Sequence, residues 1–133
     1  MKKTYQGSCH CGAVRYEAGV DLAQGTFKCN CSMCFKTRAW LAPVAAGDFR
    51  LLSGETSLTD YQFGKKRIHH RFCASCGVRS YSQGTDAKGN PMYAVRVTCL
   101  DGVDPQELVA APVKYFNMAH EDMKSPPAET RHL

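Results

Sequence analysis

The chain has no long apolar run, and only one of its 133 residues is tryptophan. A transmembrane helix needs about 20 consecutive apolar residues, and no segment supplies them. The first seven residues are charged and then polar, without the apolar stretch of a secretory signal. There is also no internal repeat and no low-complexity block. We therefore expect no membrane-spanning helix and a cytoplasmic location, where thiols stay reduced.

Helical periodicity is almost absent as well. Short segments rich in aromatic and β-branched residues, punctuated by glycine, predict strands instead. We place these strands at residues 5–9, 13–18, 25–29, 40–45, 49–52, 58–63, 68–72, 78–82 and 92–98. Only two short helices are expected. One covers residues 32–38, and the other begins at Asp104, a favourable N-cap that is followed by Pro105 at the first helical position.

These elements predict an all-β protein made of several small antiparallel sheets with short helical turns. A chain of 133 residues is one domain by the usual size range. We assign residues 1–123 to this domain. Residues 124–133 contain two prolines and little to bury, so we expect a loose C-terminal tail.

Cysteine is the residue with the clearest pattern. Seven of the eight cysteines lie in three tight clusters. The clusters are Cys9-x-Cys11, Cys29-x-Cys31-x-x-Cys34 and Cys73-x-x-Cys76. Cysteines one or two residues apart suit metal binding better than disulfides, above all in a chain without a secretion signal. The count predicts two zinc ions per chain, one with four ligands and one with three.

The four-ligand site would join the Cys-x-Cys pair near the start to the Cys-x-x-Cys pair near residue 75. Gly12 and Gly77 follow directly after these pairs. Glycine adopts positive φ without steric cost, which lets backbone N–H groups point at the sulfurs. A zinc ion with four protein ligands is structural. We therefore predict a structural zinc bound by Cys9, Cys11, Cys73 and Cys76.

The three-ligand site would consist of Cys29, Cys31 and Cys34. A zinc ion with three protein ligands keeps one position for water or substrate. Three thiolates give the centre a net charge of −1, so it suits an incoming thiol better than polarisation of an ester or peptide. Cys99 leaves two interpretations open: it is a buried free thiol, which is the commoner case, or it closes this site as a fourth ligand.

Basic residues surround the three-cysteine cluster in the sequence. Lys28, Lys36 and Arg38 are candidates to bind carboxylates of an acidic thiol, although each also suits a solvated turn. His69 and His70 are candidate general bases, or histidines with only a packing role. The net charge of +5 falls to about +2 when seven thiolates bind two zinc ions. That value does not favour a nucleic-acid partner.

Taken together, these motifs resemble the glutathione-dependent formaldehyde-activating enzyme family, whose domain is shared with centromere protein V. The resemblance covers about residues 7–101. The matching stretches are GSCHCGAV at 7–14, CNCSMC at 29–34, FRLLSG at 49–54 and FCASCG at 72–77. It implies a β-tent fold, a structural zinc on the four-cysteine set and a catalytic zinc on the three-cysteine set.

The resemblance also implies an activity, the addition of formaldehyde to glutathione to give S-hydroxymethylglutathione, which is a carbon–sulfur lyase reaction in reverse. Two segments depart from the enzymes of the family. Residues 93–102 look closer to the centromere protein V branch, and residues 35–40 lack the glycine-containing turn of many enzyme members. A non-catalytic, zinc-stabilised binding module is therefore the alternative function.

Overall fold

The computed structural model describes all 133 residues. It contains ten strands, two α-helices and five short 3-10 turns. The strands are β1 (Lys3–Ser8), β2 (Arg15–Val20), β3 (Thr26–Cys29), β4 (Leu41–Ala45), β5 (Phe49–Ser53), β6 (Leu58–Tyr61), β7 (Ile68–Cys73), β8 (Tyr81–Thr85), β9 (Pro91–Arg96) and β10 (Val113–Phe116). The helices are α1 (Ser32–Thr37) and α2 (Pro105–Ala110). Neither helix, nor any turn, has the length and apolar character needed to cross a bilayer.

The strands form two sheets. A three-stranded sheet has the order β1-β2-β5, and a seven-stranded sheet has the order β10-β3-β4-β9-β8-β7-β6. All neighbouring pairs are antiparallel except β10 with β3, which run parallel with Phe116 opposite Cys29. This one parallel pair brings the chain after residue 116 to the end of β3, where the three-cysteine cluster begins.

The hydrophobic core lies between the three-stranded sheet and one face of the seven-stranded sheet. Tyr16 on β2 is completely buried at its centre. Its ring stacks on Phe49 with 5.2 Å between centroids and meets Tyr81 edge-on at 5.5 Å. Its hydroxyl donates a hydrogen bond to the carbonyl oxygen of Ser80 at 3.0 Å. The tyrosine therefore fixes the distance between the two sheets while its polar atom stays satisfied.

The predicted all-β class with short helical turns is confirmed. Most strands begin or end within a few residues of their predicted limits. The segment predicted as a strand at 78–82 becomes a strand only at Tyr81. Residues 74–80 instead form the turn after Cys73, which is closed by a hydrogen bond of 3.1 Å from the Cys73 N–H to the Val78 carbonyl oxygen. Strand β10 was not predicted. Its four residues carry too little pattern, and its partner β3 lies far away in sequence.

Both helices begin as their N-caps dictate. Asp104 accepts a hydrogen bond from the Gln106 N–H at 2.9 Å, with Pro105 at the first helical position as predicted. Helix α1 has a cysteine as its N-cap: the Cys31 sulfur accepts the N–H of Cys34. Helix α1 ends at Thr37, and its C-cap Arg38 adopts the left-handed conformation at φ 51°.

The segment predicted as a tail folds back on the domain. Pro127 is buried. The carbonyl oxygens of His132 and Leu133 accept hydrogen bonds from Arg38 Nη1 at 3.4 Å and from Lys28 Nζ at 3.2 Å. These contacts place the last residues beside helix α1. All fourteen residues of the main core cluster nevertheless lie between positions 9 and 111, so the tail adds contacts outside the core.

Candidate functional site

The fold brings the two distant cysteine pairs together. The sulfurs of Cys9, Cys11, Cys73 and Cys76 all lie within 4.8 Å of one another. Cys11 Sγ is 3.7 Å from Cys9 Sγ and 3.6 Å from Cys73 Sγ. Four thiolates at the usual Zn–S distance of about 2.3 Å have sulfurs about 3.8 Å apart in a tetrahedron. A disulfide would require about 2.05 Å, and all eight cysteines are free. The four-sulfur group therefore fits a tetrahedral metal ion.

Backbone amides support this group. The N–H of Val14 donates to Cys9 Sγ at 3.3 Å. The N–H groups of Cys11 and Val78 lower the pKa of Cys76 to about 6. Gly12 and Gly77 adopt φ of 82° and 76°, as expected for turns that direct amides at sulfurs. These turns stabilise the thiolate form, which is the form that binds metal.

The second group consists of three sulfurs. Cys29 is the last residue of β3, and Cys31 and Cys34 belong to the start of α1. Their sulfurs also lie within 4.8 Å of one another. The Cys31 N–H donates to Cys29 Sγ, and the Cys34 N–H donates to Cys31 Sγ, both at 3.4 Å. The chain therefore curls around a point that three thiolates can share.

A second segment holds this curl in place. Asn30, between the first two cysteines, donates its amide to Asn117 Oδ1 at 2.7 Å and accepts the N–H of Ala119 at 2.9 Å. Hydrogen bonds from the Cys31 and Cys34 thiols, with the backbone N–H of Met118, hold the pKa of Cys29 far below its ordinary value. The turn after β10 is thus part of the site, although the sequence pattern did not indicate it.

No fourth ligand from the chain joins the three-sulfur group. No further cysteine, histidine or carboxylate lies within 4.8 Å of all three sulfurs. Cys99 is half-buried and belongs to neither group. Burial raises the pKa of its thiol. In this structure it is a free thiol outside both candidate metal centres.

The basic residues selected from the sequence contact the tail. Lys28 lies over the Trp40 ring, 5.2 Å from its centroid, and donates to the Leu133 carbonyl. Arg38 donates to the His132 carbonyl. Lys36 is exposed on the last turn of α1. Two of the three predicted cations are therefore occupied by backbone carbonyls of the chain itself.

Sequence reasoning missed two arginines, of which Arg96 contacts the end of helix α1. Arg96 Nη1 donates to the carbonyl of Thr37, the last residue of α1, at 2.9 Å. Arg79 lies over the Phe72 ring, 5.0 Å from its centroid. Arg96 ends β9 next to the buried Val95, so strand alternation could have placed its side chain on the opposite face, whereas Arg79 lies in the turn after Cys73. Nothing local in the sequence marked Arg96 as a neighbour of α1.

The two candidate histidines point to opposite faces of β7. His69 Nδ1 lies 2.6 Å from Asp60 Oδ2, within hydrogen-bond distance. His70 stacks on Phe63 with 5.2 Å between ring centroids. Burial and the charge of Arg79 lower the pKa of His70. Neither histidine belongs to a sulfur group, so neither is placed as a metal ligand.

A large cavity lies elsewhere. It has a volume of about 560 Å³ and opens between β5 and strands β7 to β9. Its lining includes Phe49, Arg71, Tyr81 and Tyr93, and no cysteine. The convergent sulfurs of the three-cysteine group could bind a metal ion with an open position, whereas the cavity wall offers no comparable set of ligands.

Comparison with known proteins agrees with this site. A family model described as glutathione-dependent formaldehyde-activating enzyme matches residues 4–118. The chain is also similar to a Rhodobacter sphaeroides protein whose crystal structure was solved as a structural genomics target. The two share 34% identity over 82% of this chain and 99% of that chain, with a TM-score of 0.70. The family match spans both sulfur groups, and the chain therefore belongs to the glutathione-dependent formaldehyde-activating enzyme family.

Proposed function

We propose that the protein is a zinc-dependent enzyme that joins formaldehyde to glutathione, with Cys29, Cys31 and Cys34 as the ligands of the reactive ion. The observation that carries this proposal is the unequal number of sulfurs in the two groups, four in one and three in the other. A saturated centre stabilises the fold, and a centre with a free position accepts a ligand from outside. Family membership supports the substrate pair.

The reaction is an addition without net oxidation or reduction. The thiol sulfur forms a bond to the formaldehyde carbon, the carbon–oxygen double bond becomes a single bond, and the thiol proton ends on the new hydroxyl. Zinc bound by three thiolates supplies a free coordination position that favours a thiol in its deprotonated form. The reverse direction breaks the carbon–sulfur bond and is the lyase reaction.

The protein's own residues position and protect this site. The Cys31 and Cys34 amides and the turn after β10 fix the directions of the sulfurs. Rigid positioning reduces the entropic cost of bringing two small reactants together. The structural zinc on Cys9, Cys11, Cys73 and Cys76 would tie β1 to β7 across the core. Because two sets of free thiolates survive best in a reducing compartment, we also propose a cytoplasmic location.

Cobalt substitution tests the open position directly. The protein is loaded with Co²⁺ and titrated with glutathione while the cobalt–thiolate absorption band is followed. We expect the band to change and saturate at millimolar glutathione. Cys34→Ser is the negative control because it removes one of the three sulfurs, and Cys99→Ser is the matched control because it removes a thiol outside both groups.

Catalysis is tested separately, by the rate of S-hydroxymethylglutathione formation with zinc-loaded protein against the uncatalysed rate. A band that changes together with a faster rate supports the enzyme. An unchanged band at millimolar glutathione would contradict the proposal. In that case the protein is better described as a zinc-stabilised binding module, the function suggested by its resemblance to the centromere protein V branch.

A further inference from the structure

The strongest unexplained feature is a pair of arginines without a carboxylate partner. Neither Arg79 nor Arg96 is paired with a carboxylate in the structure. Arg96 has one acceptor, the Thr37 carbonyl. Arg79 Nη1 is enclosed by protein and has no hydrogen-bond partner at all. An enclosed polar atom without a partner is rare and costly, above all on a charged group.

The two guanidiniums share one face of the seven-stranded sheet. Val95 points into the core, so Arg96 next to it points to the opposite face. Phe72, which precedes the buried Cys73, points the same way, and Arg79 lies over its ring. Both guanidiniums are close enough to His70 for their charges to affect its pKa. Burial lowers the pKa of His70, and the charges of Arg79 and Arg96 lower it further.

This face therefore carries two guanidiniums that no carboxylate of the chain pairs with. Burial lowers the pKa of Arg96, and repulsion from Arg79 adds to the effect, against the attraction of the Cys99 and Cys34 sulfurs. An arginine cannot relieve the cost by losing its proton, because its intrinsic pKa is too high. An anion bound at the other guanidinium nitrogens offsets the charge of the group, and the planar guanidinium matches the two oxygens of a carboxylate.

The location connects this charge to the three-cysteine group. Arg96 bonds to Thr37 at the end of α1, the helix that begins with Cys31 and carries Cys34. Two of the other cations beside the cluster, Lys28 and Arg38, already donate to tail carbonyls, and Lys36 is exposed on the last turn of α1. We propose that Arg79 and Arg96 form an anion site that binds a carboxylate of the thiol ligand. The choice of a carboxylate-bearing thiol rests on the proposed function, whereas the anion site itself does not.

The first experiment compares thiols with and without carboxylates. Cobalt-loaded protein is titrated with glutathione, with its ethyl ester at the glycine carboxylate, and with 2-mercaptoethanol. We expect glutathione to bind at least about tenfold more tightly than 2-mercaptoethanol, as a charge-assisted bidentate contact allows. The preference for glutathione over 2-mercaptoethanol should disappear in Arg79→Gln and in Arg96→Gln, and Arg79→Lys should restore part of it. The control is Arg50→Gln, which removes an exposed arginine of the three-stranded sheet and should keep the full preference. The ethyl ester reports whether the glycine carboxylate is the one bound.

The second experiment separates the anion site from the proposed function. The ring signals of His70 are followed by NMR in zinc-loaded protein during titration with sodium sulfate, with sodium chloride at matched ionic strength as the control. We expect a saturable shift with sulfate that the Arg79→Gln, Arg96→Gln double variant lacks.

If no thiol changes the cobalt band but sulfate binds, the proposed function fails and the anion site stands. Any one of three results would overturn the anion site. These are the absence of a saturable shift with sulfate, a double variant that responds like the unchanged protein, and single variants that keep the full preference for glutathione. Melting curves of all variants confirm that the compared proteins are folded.

Discussion

The sulfur of Cys31 accepts the backbone N–H of Cys34 at 3.4 Å, so one atom both caps helix α1 and belongs to the three-sulfur group. Substitution can separate these two roles. A serine hydroxyl caps a helix well, whereas alanine cannot, and loss of an N-cap costs about 1 kcal/mol. We therefore expect Cys31→Ser and Cys31→Ala both to lose one zinc per chain. The alanine variant should be less stable than the serine variant by about 1 kcal/mol.

Metal content by atomic emission and melting by circular dichroism measure the two effects. A difference of about 1 kcal/mol corresponds to roughly 4 °C in melting temperature for a domain of this size. Cys99→Ser should keep both zinc ions. A Cys31→Ser protein that retains two zinc ions would remove Cys31 from the metal site, and equal melting of the serine and alanine variants would show that the cap contributes nothing.

The four-sulfur group should be essential for folding. Cys73 is fully buried, ends β7 and belongs to the main core cluster. Structural zinc contributes on the order of 10–16 kcal/mol in small peptide systems, which is comparable to the whole stability of a domain, about 5–15 kcal/mol. We expect Cys73→Ser to be unfolded at 25 °C, by circular dichroism and by the loss of amide dispersion in NMR. A variant with native spectra and an unchanged melting temperature would contradict the assignment.

Local chemistry predicted much of the fold and of both sulfur groups. The short range of the Cys-x-Cys and Cys-x-x-Cys motifs limits where the sulfurs can lie, and Asp104 with Pro105 determines where α2 starts. The same reasoning could not predict which strands distant in the sequence pair with each other. Strand β10 is four residues long and pairs with β3 from more than eighty residues away. The approach of Arg96 to α1 depends on the order of strands in the sheet.

The packing of Gly7 against Tyr16 predicts a sensitive position at the start of the Cys9 loop. A Cβ on Gly7 would lie 2.2 Å from Cζ of the buried Tyr16 ring. That ring cannot move aside, because it stacks on Phe49 and donates to the Ser80 carbonyl. We expect Gly7→Ala to destabilise the protein by about 1–3 kcal/mol, as overpacking of a core does.

Urea unfolding of the zinc-loaded protein measures this cost. Gly47→Ala is the matched control, because a Cβ there meets nothing within 4 Å and its φ is not positive. It should leave stability unchanged or raise it slightly through the lower entropy of the unfolded chain. Equal stability of the Gly7→Ala and Gly47→Ala proteins would mean that β1 and β2 can separate at this point without cost.

His70 should make stability depend on pH. Burial lowers its pKa in the folded protein, with a further contribution from Arg79, against an ordinary value of 6.5. As pH falls, His70 therefore becomes protonated in the unfolded chain at a higher pH than in the folded protein. The stabilising contribution of neutral His70 is complete above about pH 6.5 and is lost as pH decreases towards the folded-state pKa. The neighbouring charges of Arg96 and His69 act in the same direction, and Asp60 opposes them.

The comparison with His70→Gln isolates this contribution, because acid release of zinc affects both proteins alike. Urea unfolding between pH 7.5 and 5.5 should show a steeper loss of stability in the unchanged protein than in the glutamine variant. Parallel pH profiles would show that His70 titrates in the folded state as it does in the unfolded chain.

The last ten residues offer a test of where the domain ends. We predicted a domain over residues 1–123, and every residue of the main core cluster lies between positions 9 and 111. A chain that ends at Met123 should therefore fold and keep two zinc ions. It should melt a few degrees lower, because it loses the buried Pro127 and the acceptors of Lys28 and Arg38. Circular dichroism and zinc analysis measure both outcomes. A truncated chain that is unfolded, or that retains only one zinc ion, would show that the tail is an integral part of the domain and of the three-cysteine site.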